Sequence, residues 1–291
     1  MRAAIPSFLP MIAPMSPRFS MWFRYCLSGL LIGLCLFCPG SAGAMESPPT
    51  VILTEEQLQA GDALADKAFA ATEAGDFAIA EQYWTQLIKD FPQNPAVWSN
   101  RGNARVSQNK IDAAIADFGH AIELAPDQPD PYLNRGTAWE AKGDFGAAIA
   151  DYNQVLAIDP DDAYAFNNRG NAEGGLGDWQ AALADFQHAT AIAPDFAFAQ
   201  ANTALALYEL GETQKAITTM RKLVRKYPMF ADMRAALTAV LWAEGQQGEA
   251  ESNWVATVGV DGRYQDLTWV KDIRRWPPRM INALDQFLSL N

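Results

Sequence analysis

Beyond residue 44 the chain has no cysteine: Cys26, Cys35 and Cys38 are its three, and all lie in one N-terminal apolar stretch. A disulfide framework, a thiolate metal site and thiol redox chemistry are therefore excluded from the body. Histidine is almost as scarce; His120 and His188 stand 68 residues apart, with no ligand spacing between them. Positive charge is short as well, with 22 Lys and Arg against 34 Asp and Glu, a net charge of −12. Residues 1–44 hold Arg2, Arg18 and Arg24 and no acid, so the rest carries 19 bases against 34 acids, or −15. Such a balance repels nucleic acid and anionic lipid and suits protein partners with neutral or basic surfaces. No apolar run approaches the roughly 20 residues of a membrane-spanning helix. Gly174-Gly175-Leu176-Gly177 lacks the Lys-Ser/Thr of a phosphate loop. With no Ser/His/Asp set or paired acids in a plausible cleft, nothing points to catalysis, a cofactor, a metal or a small-molecule substrate.

What is present begins with a leader. Arg18 and Arg24 precede the apolar run Leu27 to Cys38, and Pro39-Gly40-Ser41-Ala42-Gly43-Ala44 follows it. Basic, apolar and small-residue segments in this order are the pattern of a secretory signal peptide, residues 1–44, cleaved after Ala44. Translation starts at Met1, Met15 or Met21. Residues 45–60 read as a proline-containing linker and the start of a first helix, opened by the capping box Thr54-Glu55-Glu56-Gln57.

The body repeats. Prolines recur every 34 residues at Pro92, Pro126, Pro160, Pro194 and Pro228, and alanines at Ala80, Ala114, Ala148, Ala182, Ala216 and Ala250. Gly75, Gly143, Gly177, Gly211 and Gly245 hold another place, taken once by Asn109, and a third is bulky: Trp84, Phe118, Tyr152, Phe186, Met220 and Trp254. A helix-turn-helix unit explains all four. Gly and Asn share a left-handed turn, Ala lets two helices approach, the bulky residue one turn later fills the gap, and proline stops the second helix.

These landmarks resemble the tetratricopeptide-repeat family, whose 34-residue units carry this spacing. Six units follow: 61–94, 95–128, 129–162, 163–196, 197–230 and 231–264. The expected fold is all-α, an α-solenoid of helix-turn-helix units closed by a C-terminal capping segment, 265–291. In that segment Met280, Ala283, Leu284, Phe287 and Leu288 share one helix face. One such unit cannot bury both its faces, so stability must come from stacked neighbours.

The resemblance implies that the second, fifth, sixth and ninth places of each unit face a concave groove. Asn100, Asn134, Asn168 and Asn202 occupy the sixth place, with Asn103, Asn167 and Asn171 beside them. A carboxamide both donates and accepts, so this row suits the main chain of an extended peptide; a solvated helix face or bonds between neighbouring units are the alternatives. The same places hold Asp62, Asp66, Asp130 and Asp232 but no Lys or Arg, which argues against a clamp for a C-terminal carboxylate.

Arg101, Arg135 and Arg169 occur only in units that carry Asp117, Asp151 and Asp185 sixteen residues later, which favours ion pairs within a unit over anion binding. The basic cluster Arg221, Lys222, Arg225 and Lys226 reads as a solvated helix face. In the tail, Trp269, Arg274, Arg275 and Trp276 either pack on the sixth unit or form a second surface, with the tryptophans and arginines stacked.

Together these readings describe a non-enzymatic protein–protein interaction scaffold that grips an extended segment of a client or a membrane-complex subunit, with membrane contact only indirect. Leader, body and tail are similar to exported tetratricopeptide proteins of cyanobacteria and plastids associated with thylakoids. That resemblance implies the thylakoid lumen or periplasm, and assembly or maintenance of a photosynthetic or other membrane complex. The alternative is a structural subunit of a permanent complex or homo-oligomer that uses its convex face or tail. An inner wall covered by the chain's own tail would defeat the groove reading.

Overall fold

The structure, a computed structural model, describes residues 54–289. The expected leader, most of the linker and the three cysteines lie outside the described residues. Every regular element within them is helical, and no strand occurs among them. None of these helices is long and apolar enough to cross a membrane. The chain divides into two compact bodies, 54–126 and 127–289.

The amino-terminal body contains two helical hairpins. Helices α1 (Glu55–Glu73) and α2 (Phe77–Asp90) form the first, α3 (Pro95–Val106) and α4 (Ile111–Leu124) the second, and α2 packs on α3. The capping box opens α1: Thr54 Oγ1 accepts from the Gln57 N–H at 3.2 Å, and Gln57 Oε1 accepts from the Thr54 N–H at 2.8 Å. Asn109 turns the second hairpin at φ 59°, the left-handed region that glycine or asparagine enters at least cost. Ala80 and Ala114 are fully buried between paired helices, beside Trp84 and Phe118.

In the carboxy-terminal body four hairpins follow: α5 (Pro129–Lys142) with α6 (Phe145–Ile158), α7 (Ala163–Gly175) with α8 (Trp179–Ile192), α9 (Ala197–Glu209) with α10 (Thr213–Lys226), and α11 (Ala231–Ala243) with α12 (Gln247–Val260). Each second helix packs on the next first helix, α6 on α7, α8 on α9 and α10 on α11. The second helices end two residues before Pro160, Pro194 and Pro228, as a residue without an N–H that disfavours helix before it requires. Tyr152, Phe186 and Met220 are buried at the expected bulky place, each contributing about 1.5–3 kcal/mol.

A second device recurs in three units and is not among the sequence landmarks. Gly102, Gly136 and Gly170 lie on first helices directly under the bulky ring of the same unit. A Cβ there would stand 2.6 Å from Phe118, 2.5 Å from Tyr152 and 2.7 Å from Phe186. Glycine at this place lets the ring lie flat against the backbone.

After α12 the chain leaves the repeat. A 3₁₀ turn (Gly262–Gln265), one helical turn (Leu267–Trp269) and a π-helical turn (Val270–Arg274) lead through left-handed Arg275, φ 51°, into α13 (Pro278–Ser289). Phe287 of α13 sits between Trp242 and Trp254, at 5.2 and 5.1 Å, and so covers the last hairpin. The helix also reaches back from α11 to α9. There the Arg279 N–H donates to Glu209 Oε2 at 3.0 Å, and its guanidinium donates to the Tyr208 carbonyl at 2.9 Å.

Candidate functional site

The three arginine–aspartate pairs join the two helices of one unit. Arg101 donates to both oxygens of Asp117 at 2.9 and 2.7 Å, Arg135 to both of Asp151 at 2.8 and 2.7 Å, and Arg169 to both of Asp185 at 2.7 Å. The carboxylates are buried, and their bonds push the Arg135 and Arg169 guanidinium groups further up from an already high pKa. An aromatic ring three residues earlier lies under each guanidinium: Trp98 at 5.0 Å, Tyr132 at 5.8 Å and Phe166 at 5.4 Å. Each arginine thus ties the two helices of its unit together, with Nε and one Nη committed to the aspartate.

His120 lies tilted against Trp98 and His188 stacks on Phe166, and among the described residues no group of His, Cys, Asp or Glu is arranged to hold a metal ion. In the basic cluster of α10, Arg221 pairs with Glu249 at 2.8 Å and Lys226 with Asp195 at 2.6 Å.

Seven asparagines were expected in the groove, and four gather there. Asn167, Asn168 and Asn171 of α7 and Asn202 of α9 line a groove of about 540 Å³, together with Tyr164, Phe196 and Phe198. Asn202 Nδ2 donates to Asn167 Oδ1 and to Asn171 Oδ1, each at 3.0 Å, and Asn167 Nδ2 donates to Asn168 Oδ1 at 3.2 Å. Part of the row thus ties one unit to the next, the alternative that the sequence left open. The amide groups of Asn168 and Asn171 and the carbonyl of Asn202 make no hydrogen bond as donor, donor and acceptor among the described residues. Of the remaining three, Asn100 departs from the expectation. Asn100 is buried, 3% exposed, with Nδ2 unpartnered; Asn103 Oδ1 is also buried without a partner; and Asn134 is half-buried outside this groove.

The tail forms the opposite wall, residues 271–278. It is anchored on Asp232, one of the acids expected to face a ligand. Asp232 Oδ1 accepts from Tyr264 Oη at 2.7 Å, Arg274 Nε at 2.8 Å and Trp276 Nε1 at 3.1 Å. Burial alone would raise this carboxyl, but the Arg274 charge and the three donors hold it below the usual range. Trp276 and Arg274 are therefore not surface residues: Trp276 is 3% exposed and Arg274 is spent on Asp232. The cation over Trp269 is Arg263, at 4.6 Å, and Trp269 is half-buried edge-on to Tyr264. Only Arg275 of the four predicted tail residues is exposed. The tail thus packs on Asp232 of the last unit, while Tyr164, Phe196, Phe198 and Leu205 line the groove.

One further residue lines the groove that the sequence reading missed. Glu140, near the end of α5, is 5% exposed, and its Oε1 has no hydrogen-bond partner. Burial pushes its carboxyl up to about 8, against the opposing pull of the Arg275 charge and the Tyr152 hydroxyl. A signal existed: the same place in the other units holds Thr72, Val106, Gly174, Tyr208 and Trp242, so Glu140 is its one charged occupant. Gly174 and Gly175, set aside as a helix turn, admit the rings of Trp179 and Phe145, whose atoms would lie 2.8 and 2.7 Å from an added Cβ.

Family profiles described as tetratricopeptide repeat match residues 66–129, 99–163, 135–203 and 199–228. These are tetratricopeptide repeats. The chain is 30% identical over 97 residues to tetratricopeptide repeat protein 36 of Bos taurus, covering 33% of this chain and 50% of that protein. It thus spans half the length of the cattle protein. Among solved structures it is similar to a tetratricopeptide repeat protein from Parabacteroides merdae, with a TM-score of 0.59 at 18% identity, covering 80% of this chain and 100% of that one. YrrB, described as having an unusual peptide-binding site, superposes with a TM-score of 0.50 at 17% identity, covering 62% of this chain and 92% of its own. At these identities the solved structures establish the repeat fold alone.

Proposed function

We propose that this tetratricopeptide chain is a non-catalytic scaffold that holds an extended segment of a client polypeptide in the groove between α7, α9 and its own tail. The observation that carries this reading is the set of unspent carboxamide groups on Asn168, Asn171 and Asn202, facing a channel walled by Tyr164, Phe196 and Phe198. Outward-facing donors and acceptors grip a peptide main chain without demanding its sequence, and the rings add apolar area for alternate side chains. YrrB offers a precedent for peptide binding on a similar fold. The test is a displayed peptide library panned on the purified chain. Selected peptides should bind the native protein and lose about tenfold or more in affinity to the Asn168→Ala/Asn171→Ala variant at unchanged helicity. Equal binding by both proteins would remove the carboxamide row from the account.

The client belongs, on this reading, to a membrane complex being assembled or maintained outside the cytoplasm, in the thylakoid lumen or periplasm. The basic, apolar and small-residue order of residues 1–44 supports export. Sequencing of the protein isolated from its own cells should find Met45 at the N-terminus; an intact leader would contradict this. The alternative, a permanent subunit docked through its tail, has less support, because Trp276 is buried and Arg274 is paired with Asp232 within their own body.

A further inference from the structure

The groove contains a feature that main-chain gripping does not use. Glu140 is buried at its edge with Oε1 unpartnered, a costly arrangement for any carboxyl unless something outside the described chain completes it. Around it the groove is lined by Phe145 of α6, Asn171 of α7, Trp179 of α8 and Arg275 of the tail. We propose, on the footing of the peptide-groove reading, that Glu140 anchors a subsite for a basic side chain, a lysine or arginine of the bound segment that pairs with its free oxygen.

Three observations select a cation. The chain's own Arg275 already acts on Glu140 through its charge, yet it is exposed and makes no hydrogen bond or ion pair of its own among the described residues. A cation is thus favoured here, and the tail supplies one without a closed contact. The rings of Phe145 and Trp179 suit the aliphatic stem of a lysine or arginine, which packs on apolar surface behind its charged head. The other charges on the groove are committed or balanced: Arg274 is held by Asp232, and exposed Lys271 and Asp272 oppose each other in sign.

The groups facing Glu140 are the Tyr152 hydroxyl of α6 and Arg275 of the tail. With the groove empty the carboxyl keeps its proton at neutral pH. An arriving cation converts it to a carboxylate in a charge-assisted bond, and the proton leaves to solvent. Binding of a basic segment therefore strengthens as pH rises towards about 8 and then levels off.

The experiment uses the purified full chain and four labelled ten-residue aliphatic peptides, identical except for a central lysine, arginine, norleucine or glutamate, with anisotropy as the readout. The lysine and arginine peptides should bind about tenfold tighter than norleucine at pH 7, with a gap that widens to pH 8.5. Glu140→Gln should erase the gap and its pH dependence. Arg275→Asn, which keeps a residue tolerant of the left-handed backbone, should enlarge the gap by removing the competing cation. Equal affinity for all four peptides, or a basic preference that survives Glu140→Gln, overturns the subsite; the groove reading then stands if Asn168→Ala/Asn171→Ala still weakens every peptide. Failure of all four to bind removes the groove reading, and the subsite with it.

Discussion

At the scale of single residues, the helices approach as closely as they do because particular side chains are missing. Gly136 carries the ring of Tyr152 against its α-carbon, and an added Cβ would stand 2.5 Å from it. Gly136→Ala should therefore destabilise the carboxy-terminal body by about 1–3 kcal/mol, despite the better helix propensity of alanine. Gly146→Ala is the control, since the nearest atom to its Cβ is 3.8 Å away. Thermal melts should separate the two, and equal midpoints would show that the close contact costs nothing. Glu140 yields a prediction of unusual sign for an acid. Its folded value, about 8, lies above the ordinary 4.5, so its favourable contribution is complete below 4.5 and is lost as pH rises to about 8. Urea unfolding should show stability falling across that window in the native chain, and Glu140→Gln should flatten the fall. A slope unchanged by the substitution would place its origin elsewhere.

At the scale of elements, the hairpins and the capping helix were legible, and the anchorage of the segment between them was not. A period of 34 fixes where glycine turns a hairpin and where alanine lies between helices, because each landmark meets the same neighbours in every unit. The ion pairs were legible for the same reason, since Arg135 and Asp151 recur together at one spacing or not at all. Residues that face outside the unit lack that protection. Asn100 and Asn202 share a place, yet one is buried without a partner for its amide and the other bonds two asparagines on α7. The segment between α12 and α13 occurs once, so no repeat indicates its partners, and Asp232 looked like a ligand-facing acid until Tyr264, Arg274 and Trp276 converged on it. That anchor is testable. Arg274→Ala leaves a buried carboxylate short of its counter-charge, a loss of about 3–5 kcal/mol. Hydrogen exchange should accelerate across 262–289 while α5 to α8 keep their protection; unchanged exchange in the tail would show that the pair does not hold it.

At the scale of the whole molecule, the repeats supply the scaffold, and the proposed site lies where the sequence departs from the repeat. The tetratricopeptide repeats agree with a protein-binding role. In the function proposed above, the four clustered asparagines, the aromatic wall and the tail give that role one place. The most direct measurement is a nuclear magnetic resonance titration of the isotopically labelled chain with a library-selected peptide, following side-chain amide signals. The account predicts that the carboxamide resonances of Asn168 and Asn171 shift in saturable proportion to bound peptide, while the buried amide of Asn100 stays in place. Saturable binding that leaves the Asn168 and Asn171 signals unmoved would contradict it.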